Sequence, residues 1–169
     1  MVVVGLTQGM QPIVGYNFGA RRYDRVRLAL RKALIAGVSI MTVGWLVNEI
    51  FPNYIVAMFS DDTELNELAR FGIRISCLMF PLVGAQIVIT NFFQSIGKAQ
   101  ISIFLSLARQ LLFLIPLLFI LPRHFGITGV WSSMPAADLI AFVAAAFTLR
   151  WYVRKMRKND QAVLVNKNL

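Results

Sequence analysis

Two ionisable residues stand isolated in long apolar runs: Arg109 within residues 101–121 and Asp138 within residues 126–151. A charge at the centre of a bilayer costs at least about 2.5–3.5 kcal/mol, so each needs a partner or water. Each lies twelve residues from the segment joining the runs, counted back from Leu121 and forward from Gly126. At a helical rise of 1.5 Å per residue, both sit roughly 18 Å below that turn. Antiparallel neighbours would hold them at one level, so an Arg109–Asp138 ion pair, direct or bridged by water, is expected near mid-membrane. It is expected to act as a structural lock rather than a proton relay.

A second constellation is uncharged. Gln86, Thr90 and Gln94 recur every fourth residue, with Asn91 on a wider arc, a spacing that lines up one helix face. Amides and hydroxyls in such a stripe could form the wall of a substrate cavity. Their plainer use is hydrogen bonding between helices, typically worth under about 1 kcal/mol per contact in a membrane. The following run repeats the pattern with Ser102, Ser106 and Gln110 beside Arg109. Gln8 and Gln11 in the first run are further cavity candidates.

Covalent chemistry has little to work with. No Ser–His–acid set, H-E-x-x-H motif or paired carboxylates occur in the apolar runs, which argues against an intramembrane hydrolase. The single histidine, His124, sits in a short loop beside Arg123 and offers no metal site. Cys77, the one cysteine, reads as a buried inert thiol. No catalytic residue, metal site or cofactor is expected, and the chain is not expected to be an enzyme.

The elements that must position these residues are membrane helices. Of the 169 residues, 57% are hydrophobic and 15% charged, with a mean hydropathy of +0.65. Soluble domains average about 45–50% apolar and about 25% charged. Five runs, about 1–19, 28–51, 71–95, 101–121 and 126–151, approach the roughly 20 residues that span a hydrocarbon core. Residues 1–158 are therefore read as an all-α integral membrane domain, and 159–169 as a disordered cytoplasmic tail. Pro52-Asn53 and Pro122 read as stops, Pro81 and Gly84 as breakers inside the third run, and Glu49 as a solvated interfacial charge. Trp45, Tyr54, Trp131 and Trp151 read as interfacial anchors.

Charge sets the expected orientation. If the segment holding Arg21, Arg22, Arg25, Arg27, Arg31 and Lys32 is cytoplasmic, alternation puts thirteen Lys and Arg inside and three outside. That bias places the C-terminus in the cytoplasm and the acidic Asp61–Glu67 loop outside. The net charge of +9 thus belongs to helix ends, and nucleic-acid binding is not expected. Five helices with an outside N-terminus suggest missing upstream sequence.

The stretch Gln8-Gly9-Met10-Gln11-Pro12-Ile13-Val14-Gly15-Tyr16-Asn17-Phe18-Gly19-Ala20-Arg21-Arg22 resembles a recurrent signature of the multidrug and toxic compound extrusion (MATE) family. Asn91-Phe92-Phe93-Gln94-Ser95-Ile96-Gly97-Lys98 is similar to the same family, as is Gly126-Ile127-Thr128-Gly129-Val130-Trp131 with Pro135 and Asp138. The resemblance covers residues 1 to about 155. It implies about five transmembrane helices forming most of one lobe of a twelve-helix, two-lobe transporter of the bacterial inner membrane. It also implies partners: membrane lipid, small organic cations and an absent N-terminal lobe. Export of cationic amphipathic compounds in exchange for sodium ions or protons is what the family does. One departure stands out: Phe71–Ser95 contains no Asp or Glu, where one branch carries a coupling carboxylate. The coupling ion, sodium or proton, is therefore expected to bind in the absent lobe. Two rival readings are a lipid-linked oligosaccharide flippase of the same superfamily and a non-transporting truncated fragment.

Overall fold

Helix α1, Val2–Gly19, ends in a tight reversal that starts α2, Tyr23–Ile50. The N–H of Arg21 donates to Phe18 O (3.0 Å) and that of Arg22 to Asn17 O (2.9 Å), the paired bonds of a Schellman C-cap. Arg21 takes φ 54° to make this possible. In this computed structural model, the backbone is described for residues 1–57 and 63–167, and side chains for residues 1–56 and 66–156.

The basic residues Arg25, Arg27, Arg31 and Lys32, expected to precede or open the second span, lie within α2. Arginine and lysine are good helix formers, so the helix starts earlier than the apolar run does. A short α3, Pro52–Ala57, follows, and then α4, Thr63–Cys77. Most of the Asp61–Glu67 segment lies outside the residues whose side chains are described.

The third run, expected as one kinked span over 71–95, is two helices. α4 stops at Cys77 and α5 runs from Phe80 to Ser95, bent by 45° relative to α4. Pro81 supplies the reason. It has no N–H to donate and its ring crowds the carbonyl four residues back, so it is accommodated in the first turn of a new helix. Gly84, read as a breaker, instead permits a close crossing: a Cβ there would lie 2.7 Å from Gly37 O in α2. Small residues of this kind let helix backbones approach in a membrane.

At its C-terminus α5 repeats the cap of α1, with Gly97 at φ 74° in the left-handed position. The N–H of Gly97 donates to Gln94 O (3.1 Å) and that of Lys98 to Phe93 O (2.8 Å). The chain then enters α6, Ala99–Leu107, a π-helical segment Ala108–Leu114, and α7, Ile115–Lys167. Pro116 lies just beyond the π segment and cannot donate; widening the preceding turn relieves its contact with the carbonyl behind it.

Gly126 breaks α7 at φ 55°, ψ −136°, a backbone region essentially restricted to glycine. The two arms pack antiparallel across it. Ser133 Oγ lies 3.1 Å from Leu117 O and 2.7 Å from Gly129 O, and a Cβ on Gly129 would collide with Leu121 O. Pro122, expected as a stop, lies inside the helix, and the reversal falls at the glycine instead. The final helix, expected to close near residue 151 with a disordered tail after 158, continues to Lys167.

Two helical stretches are long and apolar enough to cross a membrane, Tyr23–Ile50 and Ala99–Met156, or three if the bent α4–α5 pair is one span. Two facts account for the difference from five runs. Ala99–Met156 doubles back at Gly126, so one apolar stretch supplies two arms. Gln8, Gln11 and Asn17 dilute the hydropathy of α1.

The buried core joins Val3, Met10 and Val14 of α1, Val26 and Leu30 of α2, and Val88, Ile89, Phe92 and Phe93 of α5. Leu105 of α6 and Ala145, Tyr152 and Met156 of α7 join it from the other side, so α5 is the central helix. Large apolar side chains including Phe104, Leu111, Phe119, Val143 and Phe147 are exposed. A surface this apolar suits hydrocarbon rather than water. At the far end of α2, Arg74 pairs with Glu49 at 2.5 Å and Arg70 donates to Asn53 Oδ1 at 2.7 Å, so Glu49 has a cationic partner. Trp131 packs edge-on against Phe71 at 5.8 Å, joining α7 to α4.

Candidate functional site

The two polar stripes face each other. The turn at Ile96–Lys98 reverses the chain, so Gln94 of α5 shares a cavity of about 410 Å³ with Ser102 and Ser106 of α6. Farther from the turn, Gln86, Thr90 and Asn91 share a cavity of about 190 Å³ with Ser106, Arg109 and Gln110. Ser106 lines both. The result is a polar seam between α5 and the α6–π rod. Spacing at i, i+4 on each helix creates two stripes, and the short turn opposes them.

Along the seam the groups are not equally committed. Asn91 Nδ2 donates to Ile87 O at 2.9 Å, and Ser95 Oγ to Asn91 O at 2.7 Å, so both turn back onto their own helix. Gln86 is only 3% exposed, and its Oε1 has no protein hydrogen-bond partner. A buried acceptor left unpaired costs about 1–3 kcal/mol. Gln86 lines the smaller cavity, so a rotation of its amide would turn this acceptor toward a donor that enters.

Arg109 Nε donates to Asp138 Oδ1 at 2.7 Å. The pair is asymmetric, with side-chain exposures of 35% for Arg109 and 7% for Asp138. The carboxylate is buried, while the guanidinium reaches from the π segment and also lines the smaller cavity. π-helical turns occur frequently at functional sites, and this one carries the cation of the seam. The arrangement offers neutral amides, hydroxyls and a charge already neutralised. Among the described residues no group of three His, Cys, Asp or Glu could hold a metal ion.

The structure thus brings Gln86, Thr90, Asn91 and Gln94 to the seam and joins Arg109 to Asp138. It does not bring Gln8 or Gln11 there: Gln8 is exposed and Gln11 half-buried on α1, and neither lines the two cavities. Spacing gave the two stripes separately. Their opposition needed the reversal at Gly97, and the isolation of Gln86 Oε1 has no signal in the sequence.

A helical bundle with an apolar outer face and a polar seam between helices is built as a membrane transporter is, and comparison with known proteins specifies which kind. The MatE family model matches residues 1–120. The chain belongs to this family, the multidrug and toxic compound extrusion transporters. It is 28% identical over 145 residues to the multidrug export protein MepA of Staphylococcus haemolyticus, covering 85% of this chain and 32% of that protein. Identity to MepA of Staphylococcus aureus strain NCTC 8325 is also 28%, over 147 residues, with the same coverage. Among solved structures, the MATE multidrug transporter DinF-BH superposes with a TM-score of 0.82 at 36% identity. That match covers 88% of this chain and 33% of DinF-BH. An inward-facing multidrug resistance MATE transporter of the MOP superfamily shares the fold, with a TM-score of 0.86 at 17% identity, covering 92% of this chain and 37% of that one. The chain spans about a third of the length of the curated relatives it matches.

Proposed function

We propose that this chain supplies part of one lobe of a two-lobe, twelve-helix exporter, and that the α5–α6 seam is a stretch of its substrate-cavity wall. The observation that carries this reading is Gln86, buried at a polar cavity with an acceptor no protein group uses. The cargo is a small cationic amphipathic compound: Gln86, Thr90 and Gln94 offer it oxygen acceptors, while apolar neighbours such as Ile87 and Leu107 contact its rings. The relatives, named as multidrug export proteins, support this class. Antiport with sodium ions or protons drives export, and the coupling carboxylate lies in the other lobe, because the described seam holds none apart from the paired Asp138. The segment from Arg21 to Lys32, Lys98 and the C-terminal basic residues face the cytoplasm of a bacterial inner membrane. A flippase for pyrophosphate-linked cargo is not favoured, since the guanidinium on the seam is already occupied by Asp138.

The test joins this chain to the remaining two thirds of the S. haemolyticus relative and measures export of a lipophilic cation from cells. Removing both groups in Gln86→Leu/Thr90→Val should lower export about tenfold, the effect of losing roughly 1.4 kcal/mol, at unchanged membrane levels. Export equal to that of the unsubstituted chimera would make the seam mere helix packing. A chimera that inserts but never exports would support the non-transporting reading.

A further inference from the structure

Four separate stretches converge at the end of the bundle away from Gly126. Phe18 closes α1, Tyr23 opens α2, residues 96–101 turn into α6, and residues 151–156 run along α7; together they line a cavity of about 750 Å³. Of the residues lining the two seam cavities, Ala99 at the start of α6 is the one that also lines this cavity. Its walls are aromatic. Phe18 and Tyr23 meet edge to face at 5.9 Å, and Trp151 and Tyr152 lie 6.5 Å apart. Its charges are two exposed lysines, Lys98 and Lys155, with Lys155 Nζ 5.4 Å from the Trp151 ring centroid. Among the described residues, none that lines it is acidic. The nearest acid in sequence, Asp24, is paired with Arg27, and Arg21 and Arg22 add positive charge to the same helix turn.

Cations over amphipathic aromatic rings at the end of membrane helices match one environment, the boundary where lipid phosphates lie. Tryptophan and tyrosine prefer headgroup depth, and basic pockets between membrane helices take anionic headgroups. The cavity is far larger than an inorganic phosphate needs, and it opens at the helix ends where a headgroup sits. We propose that it binds the phosphodiester headgroup of an anionic phospholipid, with Lys98 and Lys155 at the phosphate and Tyr23 and Trp151 flanking the glycerol.

The chain is reconstituted in nanodiscs of equal phosphatidylglycerol and phosphatidylcholine, and lipid retained on release is weighed by native mass spectrometry. Phosphatidylglycerol should be retained preferentially. Lys98→Gln/Lys155→Gln should weaken that retention roughly thirtyfold, in line with the effect of two surface lysines on anionic lipid. Arg31→Gln/Lys32→Gln, which removes equal charge from two exposed positions of α2, should leave retention intact. Lys98→Arg/Lys155→Arg should retain the lipid and, with unchanged helicity, guards against a folding artefact. Equal loss in both glutamine variants, or loss in neither, overturns the site. In neutral detergent, inorganic phosphate should leave the melting temperature unchanged. A saturable rise that depends on Lys98 and Lys155, without lipid preference, would assign the cavity to a free anion instead.

Discussion

The α1–α2 pair and the two arms of the α6–α7 hairpin are both antiparallel helix pairs joined by a tight turn, yet they place charge in opposite ways. In α1–α2 the charge gathers at the turn. Arg21 and Arg22 are exposed, and the Asp24–Arg27 pair lies one helical turn further on, with its carboxylate 86% exposed. At its glycine turn the α6–α7 hairpin has a single exposed cation, Arg123, three residues before Gly126, and its ion pair lies deep, at Arg109 and Asp138. Surface pairs contribute about 0–1 kcal/mol, so the first arrangement adds little to holding the helices together. The second pairs a carboxylate that is only 7% exposed, which would otherwise be an unmatched buried charge.

Truncating the two aspartates should separate the regions most widely. Asp138→Ala leaves Arg109 without its partner and should destabilise the chain by on the order of 3 kcal/mol, read as the midpoint of unfolding in mixed micelles. Asp24→Ala should move the same midpoint by less than about 1 kcal/mol. Comparable losses would mean that the buried pair is no stronger than the surface one. Exchanging the charges, as Arg109→Asp/Asp138→Arg, should recover part of what either single change loses.

Packing gives the next contrast. Gly129→Ala drives a Cβ into Leu121 O and should cost about 1–3 kcal/mol as an overpacked contact. Gly9→Ala on α1 meets nothing within 4 Å and should be neutral or stabilising by up to about 1 kcal/mol. A smaller effect concerns the two Schellman caps. Arg21 occupies the left-handed position that glycine holds at Gly97, so Arg21→Gly should stabilise the turn by roughly 1 kcal/mol, seen as a modest rise in melting temperature.

How much of this could be read from the residues depends on range. The ends of α1 and α5 matched the ends of apolar runs, because hydropathy and the caps coincide there. The level of Arg109 and Asp138 was legible because an antiparallel hairpin makes depth a matter of counting. The start of α2 was not, since arginines extend a helix that hydropathy marks as finished. Pro81 was legible as a breaker, but the full separation into two helices was not, since it depends on where the proline finds a tolerable first turn; nor was the role of Gly84, which depends on α2. The lysine-lined cavity was invisible for a plainer reason: its walls come from four segments with no common period, and Trp151 alone looked like a membrane anchor.

The central claim is that Thr90 and Ser106 face a polar cavity between α5 and α6 and not lipid. Single cysteines at Thr90 and Ser106, in a Cys77→Ser background, can be tested with a water-soluble methanethiosulfonate reagent on the chain in lipid. Phe104→Cys and Val143→Cys, at positions about 60% exposed on the apolar outer face, serve as references. The seam cysteines should react at least roughly tenfold faster, because a thiolate forms only where water reaches. Equal rates at all four positions would contradict the account.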